Sequence, residues 1–127
     1  MNSVPKSHPL VSIVIPAYNH ENFIEESIAS SLNQTYKNIE LIVVDDSSPD
    51  RTHEKAVALT SKHDWKTPSR HKIVRNKKNL GICKTLNRGL SLASGDYIFI
   101  LFSDNFLHSE CIATMVAVAE QNIEFHG

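Results

Sequence analysis

Ten residues in the first half of the chain, 41–50, read LIVVDDSSPD and limit the folds that this sequence can adopt. The segment begins with four apolar residues, three of them β-branched, which is typical of a strand buried on both faces in a parallel sheet. Two adjacent carboxylates, Asp45 and Asp46, follow at once, and burying charge within an apolar strand is costly. We therefore predict that the strand ends at Asp45 or just before it. Both acids are then expected to lie in a loop at the carboxyl end of the strand.

Apolar runs alternate with segments of helical periodicity along the chain. The predicted strands cover residues 10–15, 41–44, 72–75 and 97–102, and Pro16 is expected to end the first of them. The predicted helices cover residues 22–33, 49–62 and 82–94, and a last helix begins near Ser109. This alternation predicts an α/β fold with a doubly wound, mostly parallel sheet and helices on both of its faces.

Local signals predict the ends and the inner faces of these helices. Asn22 and Glu25 have the spacing of a capping box, and Gly95 is expected to follow the end of the third helix. The inner faces are predicted to be Ala56, Val57, Leu59 and Thr60 in the second helix, Ile82, Leu86 and Leu90 in the third, and Ile112, Met115, Val116 and Ala119 in the last. The polar stretch 61–70, which contains Trp65 and Pro68, is expected to be a surface loop.

Composition narrows the class of protein. The 127 residues suffice for a single domain, 1–127, in which residues 1–9 form a loose polar leader. A formal net charge of −1 argues against a nucleic-acid partner. No apolar stretch approaches the ~20 residues of a transmembrane segment, and the first residues lack the apolar core of a signal peptide. Cys83 and Cys111 lack metal-type spacing and are expected to be reduced thiols, so we predict a cytoplasmic location, with the inner face of the membrane left open.

Three polar segments are expected to meet at the carboxyl edge of the predicted sheet: residues 16–19, the pair Asp45-Asp46, and the turn 103–105. Open α/β sheets bind ligands in the crevice at this edge. Carboxylates there suit a divalent cation that neutralises phosphate oxygens, and they can accept hydrogen bonds from a ribose or a base. Neither G-x-G-x-x-G nor G-x-x-x-x-G-K-[ST] occurs, which argues against dinucleotide enzymes and P-loop NTPases. An ordinary polar turn is the alternative for each acidic segment.

Two segments resemble the N-terminal part of family 2 glycosyltransferases, which have the Rossmann-like GT-A fold. Residues 11–52, VSIVIPAYNHENFIEESIASSLNQTYKNIELIVVDDSSPDRT, are similar to the opening of that family. Residues 76–105, NKKNLGICKTLNRGLSLASGDYIFILFSDN, are similar to its middle segment. The resemblance rests on strand-P-x-Y-N, V-V-D-D-S-S, and G-D-Y-I followed by an acidic turn, and it covers most of residues 10–107.

The resemblance implies a nucleotide site and a metal ligand. The implied nucleotide-binding residues are Pro16, Ala17, Tyr18, Asp45, Asp46, Lys78, Lys84 and Ser103. Tyr18 would lie near the base, and Asp46 would accept a hydrogen bond from the uracil or other base ring. Lys78 or Lys84 would approach the diphosphate or the base, and an ordinary surface lysine is the alternative for both. Asp104 would bind a Mn²⁺ or Mg²⁺ ion that bridges the diphosphate, with a turn aspartate as its alternative.

Two positions depart from the pattern of the family. Many relatives carry D-x-D or D-x-D-D after the fourth strand, whereas residues 102–105 read FSDN and offer one carboxylate. Fewer charged ligands imply weaker binding of the cation. Many relatives also have an arginine, within A-R-N, where this chain has Leu86.

The implied function is transfer of a sugar from a nucleotide sugar, expected to be UDP-linked, to a hydroxyl of a saccharide or lipid-linked acceptor. The reaction would be inverting and metal-assisted, in bacterial surface polysaccharide or glycolipid synthesis. Because the family's domain continues further and supplies the general base there, this chain is expected to be the donor-binding part, truncated after it. The alternative is a nucleotide- and metal-binding fragment without catalytic activity. A sugar-nucleotide pyrophosphorylase would need a glycine-rich N-terminal loop, which residues 14–18 do not provide.

An apolar edge near residues 97–102 is expected to stay uncovered in such a chain. Exposed strand edges pair with other chains. The sequence therefore also predicts a homodimer through this edge, or aggregation of the chain.

Overall fold

The computed structural model describes residues 8–65 and 70–126, and in these ranges four strands alternate with four helices. The strands are β1 (Val11–Ala17), β2 (Ile39–Asp45), β3 (His71–Arg75) and β4 (Tyr97–Ile100). The helices are α1 (Ile24–Leu32), α2 (Thr52–Lys62), α3 (Ile82–Leu92) and α4 (Cys111–His126). The strand order is β3-β2-β1-β4, with every neighbouring pair parallel.

Helices cover both faces of this sheet, so the predicted doubly wound α/β architecture is confirmed. On one face α1, α2 and α4 contribute Ile24, Ile28, Ala56, Ile112 and Val116 to the larger core cluster. The strand residues of this cluster are Val11, Ile13, Ile15, Ala17, Leu41 and Val43. The core cluster on the other face is smaller. It consists of Val14, Ile42 and Val44, and Leu86 and Leu92 of α3 pack against it.

Pro16 lies inside β1, so the prediction that it ends the strand is wrong. The carbonyl of Val14 accepts from the N–H of Leu101 on the β4 side, and the carbonyl of Ala17 accepts from the N–H of Asp46 on the β2 side. Because successive residues of a strand alternate in this way, Pro16 turns toward β4, which has already ended at Ile100. The N–H that proline lacks therefore costs no ladder bond.

The predicted starts of α1 and α2 are early, and the expected side-chain cap of α1 is absent. Helix α1 begins at Ile24 without a side-chain cap, so the capping box of Asn22 and Glu25 does not form. Instead, the carbonyl of His20 accepts from the N–H groups of both Phe23 and Ile24. Helix α2 begins at Thr52 rather than at residue 49.

The core-facing side of α2 contains the predicted Ala56, Leu59 and Thr60, whereas the prediction for Val57 is wrong. Its buried residues are Thr52, Ala56 and Thr60, whereas Val57 is 42% exposed. Trp65, expected in a surface loop, is half-buried: its Nε1 donates to the carbonyl of Thr60 at 2.8 Å, and its ring stacks on His71. Pro68 lies outside the described residues.

Helix α3 packs on the sheet through small residues. Its buried residues are Thr85 and Gly89, and Ile82, a predicted inner residue, is 54% exposed. A Cβ atom at position 89 would lie 2.5 Å from Cγ1 of Val14, so only glycine lets the helix approach this closely.

Gly95 does not serve as the C′ residue of α3, because the helix ends at Leu92 with an extended Ala93 after it. A Cβ atom at position 95 would lie 2.7 Å from the backbone nitrogen of Ser12. Gly95 is therefore a site of close backbone approach to β1.

A buried carboxylate, Glu40, joins the amino end of β2 to the segment after α3. Glu40 is 2% exposed and is paired in register with Ser12, whose hydroxyl donates to it at 2.7 Å. The N–H and hydroxyl of Ser94 also donate to it, and Lys72 Nζ lies 3.3 Å away. Burial alone would raise the pKa of Glu40, but these hydrogen bonds lower it below its ordinary value.

The edge strand β4 is apolar but only half covered. Tyr97 and Phe99 are partly buried, whereas Ile98 is 45% and Ile100 is 38% exposed. The strand also ends at Ile100, two residues before the predicted end at residue 102.

Part of the predicted leader is ordered. Pro9 is buried and its carbonyl accepts from the hydroxyl of Tyr36, and the carbonyl of His8 accepts from Asn38 Nδ2 at 2.7 Å. Residues 1–7 lie outside the described residues.

Candidate functional site

A cavity of about 820 Å³ opens at the carboxyl ends of β1, β2 and β4. It is lined by the end of β1 and the loop after it (16–20), by the turn 102–105, by Asp46, and by Asn79, Gly81, Ile82 and Thr85 around the start of α3. Its volume lies within the range of small-molecule sites in proteins. Its position is the crevice in which open α/β sheets bind their ligands.

Asp46 forms the polar centre of this cavity and is only 4% exposed. Its Oδ1 accepts hydrogen bonds from Asn76 Nδ2 at 2.8 Å and from the N–H of Leu80 at 2.7 Å. Its Oδ2 accepts from the N–H of Gly81 at 2.9 Å. Gly81 has φ +93°, a conformation that favours glycine. The carboxylate thus fixes the backbone of the loop between β3 and α3.

Burial and hydrogen bonding act in opposite directions on the pKa of Asp46. Burial raises the pKa, because it disfavours the charged form. The hydrogen bonds from Leu80, Asn76 and Gly81 outweigh burial and hold the pKa below its ordinary value. Asp46 is therefore a carboxylate, and an acceptor only, at neutral pH.

Asp45 is buried as well, but it organises a turn and is not part of the cavity lining. Its two oxygens accept hydrogen bonds from the N–H and the hydroxyl of Ser48, and Arg75 Nε lies 3.6 Å away. Ser47 between them has φ +60°. The prediction that the two acids escape burial is wrong, since each carboxylate finds donors that compensate its desolvation.

The loop after β1 forms one wall of the cavity. Pro16 and Ala17 are buried where they line it, and Tyr18 is 45% exposed. Asn19 has φ +57°, and its N–H donates to Ser48 Oγ at 2.9 Å. This bond holds the loop against the turn that Asp45 organises.

A hydrogen bond between two side chains connects this wall to the opposite one. His20 Nδ1 and Ser103 Oγ lie 2.7 Å apart, and both residues line the cavity. Ser103 is 2% exposed, so its hydroxyl is committed to this contact. Ser103 is one of the predicted residues of the nucleotide site, whereas His20 was not predicted.

Asp104 and Asn105 are exposed and face the same cavity. Among the described residues there is no cluster of three or more His, Cys, Asp or Glu side chains that would form a complete metal site. A single carboxylate nevertheless fits a hard cation that takes its remaining ligands from phosphate oxygens and water. The donor set therefore suits a cation that is bound together with a diphosphate.

The two predicted lysines do not line the cavity. Lys78 and Lys84 are exposed, and neither contributes to the lining of the cavity. Their neighbours Asn79, Gly81 and Thr85 do line it. The glycine in the turn that follows β3 at the carboxyl edge was the signal that could have identified this segment.

A parallel α/β sheet with a cavity and acidic loops at its carboxyl edge defines an open α/β ligand-binding domain. The model of the family described as Glycosyl transferase family 2 matches residues 12–124, and the chain belongs to that family.

Relatives and solved structures agree with this assignment. An uncharacterized glycosyltransferase of Haemophilus influenzae is 40% identical over 114 residues, which are 90% of this chain and 34% of the relative. The mannosyltransferase PcManGT from Pyrobaculum calidifontis, in complex with GDP-Man and Mn²⁺, superposes with a TM-score of 0.78 at 27% identity, over 88% of this chain and 32% of that one. TarS from S. aureus, in complex with UDP, gives a TM-score of 0.77 at 26% identity, with the same coverage of 88% and 32%.

These neighbours are GT-A glycosyltransferases, and the fold expected from the sequence is confirmed. The chain spans about one third of the length of the relatives and structures that it matches. In the described part of the chain, none of the helices has the length and apolar character needed to cross a bilayer. The individual roles of the site residues stay predictions.

Proposed function

We propose that this chain forms the UDP-sugar site of an inverting glycosyltransferase that acts on a hydroxyl of a saccharide or lipid-linked acceptor. Membership of family 2 supports the transferase class. One observation carries the choice of ligand: the carboxylate of Asp46 is buried in the lining of the cavity, where it can act only as a hydrogen-bond acceptor.

The hydrogen bonds of Asp46 favour uracil over guanine. A carboxylate has about four acceptor positions, two on each oxygen. Oδ1 already accepts two bonds, from Asn76 and Leu80, whereas Oδ2 accepts one, from Gly81. The Thr85 side chain also hydrogen-bonds this carboxylate, so its positions are filled in the structure. Uracil presents a single ring N–H and would need to replace only the Thr85 hydroxyl, which can rotate away, whereas guanine presents two adjacent donors and would have to displace a second donor as well.

The diphosphate would lie toward the turn 102–105, where Asp104 is the proposed ligand of a Mn²⁺ or Mg²⁺ ion. A bound divalent cation would neutralise negative charge on the departing diphosphate. Asp104 is exposed in the cavity, so its carboxylate can reach a ligand without rearrangement of the core.

Sugar transfer is proposed for the whole protein, because the chain spans about one third of its relatives. In this reaction a general base takes the proton of the acceptor hydroxyl, and the oxygen attacks the anomeric carbon opposite the diphosphate. The configuration inverts through an oxocarbenium-like transition state.

The biological setting that we propose is bacterial surface polysaccharide or glycolipid synthesis. Cys83 and Cys111 are free, which supports a cytoplasmic location, with attachment to the inner face of the membrane as a further possibility.

Calorimetric titration of UDP and GDP into this chain, with Mn²⁺ or with EDTA, tests the donor site. We expect UDP to bind at least about tenfold more tightly than GDP, a difference of about 1.4 kcal/mol. Mn²⁺ should strengthen the binding of UDP, and Asp104→Asn should remove that gain without changing the affinity in EDTA. Glu26→Gln, which changes an exposed carboxylate on α1, is the matched control.

Equal affinities for UDP and GDP would contradict the choice of base. A folded chain that binds neither nucleotide would contradict the donor site itself. If both nucleotide binding and the effect of Mn²⁺ are found while the full-length protein transfers no sugar to any acceptor, the alternative of a non-catalytic binding module gains support.

A further inference from the structure

The turn that carries Asp104 has little backbone support of its own. Strand β4 ends at Ile100, and the N–H of Leu101 makes the last bond to β1, to the carbonyl of Val14 at 2.9 Å. Within the turn, the N–H of Asn105 donates to the carbonyl of Phe102. In the part of the chain that the structure describes, the bond between Ser103 Oγ and His20 Nδ1 is the only hydrogen bond that joins residues 102–105 to another element.

His20 is itself held from the opposite side. Its N–H donates to Thr52 Oγ1 at 2.9 Å, and Thr52 is fully buried at the start of α2. The hydroxyl of Thr52 in turn donates to Asp50 Oδ1. The rings of Phe23 and His20 pack edge to face, with the ring centroids 5.7 Å apart and the planes at 86°. Backbone and ring contacts together fix the position from which Nδ1 reaches Ser103.

We infer that His20 is a positioning residue that, through Ser103 Oγ, holds the turn 102–105 so that Asp104 faces the cavity. The hold on the turn follows from the hydrogen bond alone, whereas the consequence for a bound cation rests on the proposed function. A cation with a single carboxylate ligand from the protein gains most from having that ligand fixed in advance, because ordering a loose turn would weaken binding.

A set of four variants separates this role from general loss of structure. His20→Leu and Ser103→Ala each remove one partner of the bond. His20→Asn keeps a polar amide close to the position of Nδ1 and is the conservative variant. His108→Leu, which changes an exposed histidine outside the cavity, is the matched control.

The first measurement is amide hydrogen exchange of residues 102–107 in the chain without ligand. We expect exchange about fivefold faster in His20→Leu and Ser103→Ala, in line with the loss of one hydrogen bond. His20→Asn and His108→Leu should match the wild type. Unchanged exchange in both His20→Leu and Ser103→Ala would overturn the inference, and so would an Asn variant that behaves like the Leu variant.

The second measurement is calorimetric titration of UDP with Mn²⁺ and with EDTA. The affinity gained from Mn²⁺ should fall about fivefold in His20→Leu and recover in His20→Asn, while the affinity in EDTA stays the same. The double variant His20→Leu/Ser103→Ala should lose no more than either single one, because both remove the same bond. An equal loss with and without Mn²⁺ would overturn the link to Asp104. If the wild type binds no UDP at all, the proposed function fails, and the exchange experiment still decides whether His20 holds the turn.

Discussion

The carboxylate of Asp46 and the N–H of Gly81 are joined by a hydrogen bond of 2.9 Å, although 35 positions separate them in the sequence. With the bond from Leu80, it fixes the loop that forms one wall of the cavity. Asp46 therefore supports the shape of the site in addition to the base contact proposed for it. Any substitution of Asp46 is therefore expected to change both the structure of the loop and the contact to the base.

Asp46→Asn is expected to destabilise the fold. The amide group of asparagine would turn an N–H₂ toward at least one of the donors that now bind the carboxylate, so a buried donor would lose its acceptor. We expect a loss of about 2 kcal/mol in the free energy of unfolding, measured by urea denaturation. Asp104→Asn, on an exposed turn, should change it by less than about 0.5 kcal/mol. Similar stability of the two variants would contradict the structural role of Asp46.

The stability of the chain is expected to fall in acid. Asp46, Asp50 and Glu40 have pKa values held below their ordinary ones, chiefly by hydrogen bonds that overcome burial. A lowered pKa contributes stability that is complete above the pKa of the unfolded chain, about 4 for these groups, and is lost as the pH falls through the folded pKa. Urea denaturation between pH 7 and 3 should show this decline. The gap in stability between the wild type and Asp46→Asn should narrow over the same range, and a constant gap would contradict this assignment.

Gly95→Ala tests the close approach between the segment after α3 and β1. The added Cβ would meet the backbone nitrogen of Ser12 at 2.7 Å and the carbonyl oxygen of Leu10 at 2.9 Å. Because backbone atoms of a central strand cannot move aside easily, we expect destabilisation of about 2 kcal/mol, measured by thermal unfolding. Asn87→Ala on the exposed side of α3 should be nearly neutral. A Gly95→Ala variant as stable as the wild type would show that this contact relaxes.

The homodimer predicted from the sequence is expected to form through β4. Ile98→Lys places a charge on this edge and should shift the chain toward the monomer in light scattering at high concentration. Val57→Lys on α2 is the control, since Val57 is 42% and Ile98 is 45% exposed. A wild type that stays a monodisperse monomer would contradict the prediction.

Patterns within single segments were sufficient to predict the order of the elements. The β-branched runs and helical spacings identified all four strands and four helices, since burial of apolar faces depends mainly on local periodicity. The start of α1 was not predicted, and the segment before it is held by distant partners. Helix α1 begins where the carbonyl of His20 accepts, and the loop before it is held by Asp50 and Thr52 from the start of α2.

The position of the site at the carboxyl edge of the sheet was predicted from the sequence, but the hydrogen bonds within the site were not. The acids at the strand ends indicated the correct edge of the sheet, because parallel strands end together. The donors that permit burial of Asp46 come from Asn76, Leu80 and Gly81, and two of the three are backbone groups without a residue signature. Backbone donors and the bond between His20 and Ser103 become visible only after the chain has folded.

Glu40 has a consequence for how the strands align. The apolar residues of β1 and β2 are nearly interchangeable in shape, so their packing alone discriminates weakly between neighbouring registers. A slip of β2 by one residue would carry Glu40 to the opposite face of the sheet, away from Ser12, Lys72 and Ser94. It would then be a buried charge without partners, a loss of several kcal/mol. One carboxylate at the amino end of β2 thus selects a single alignment for the whole sheet, and with it the relative heights of the loops that form the cavity at the other end.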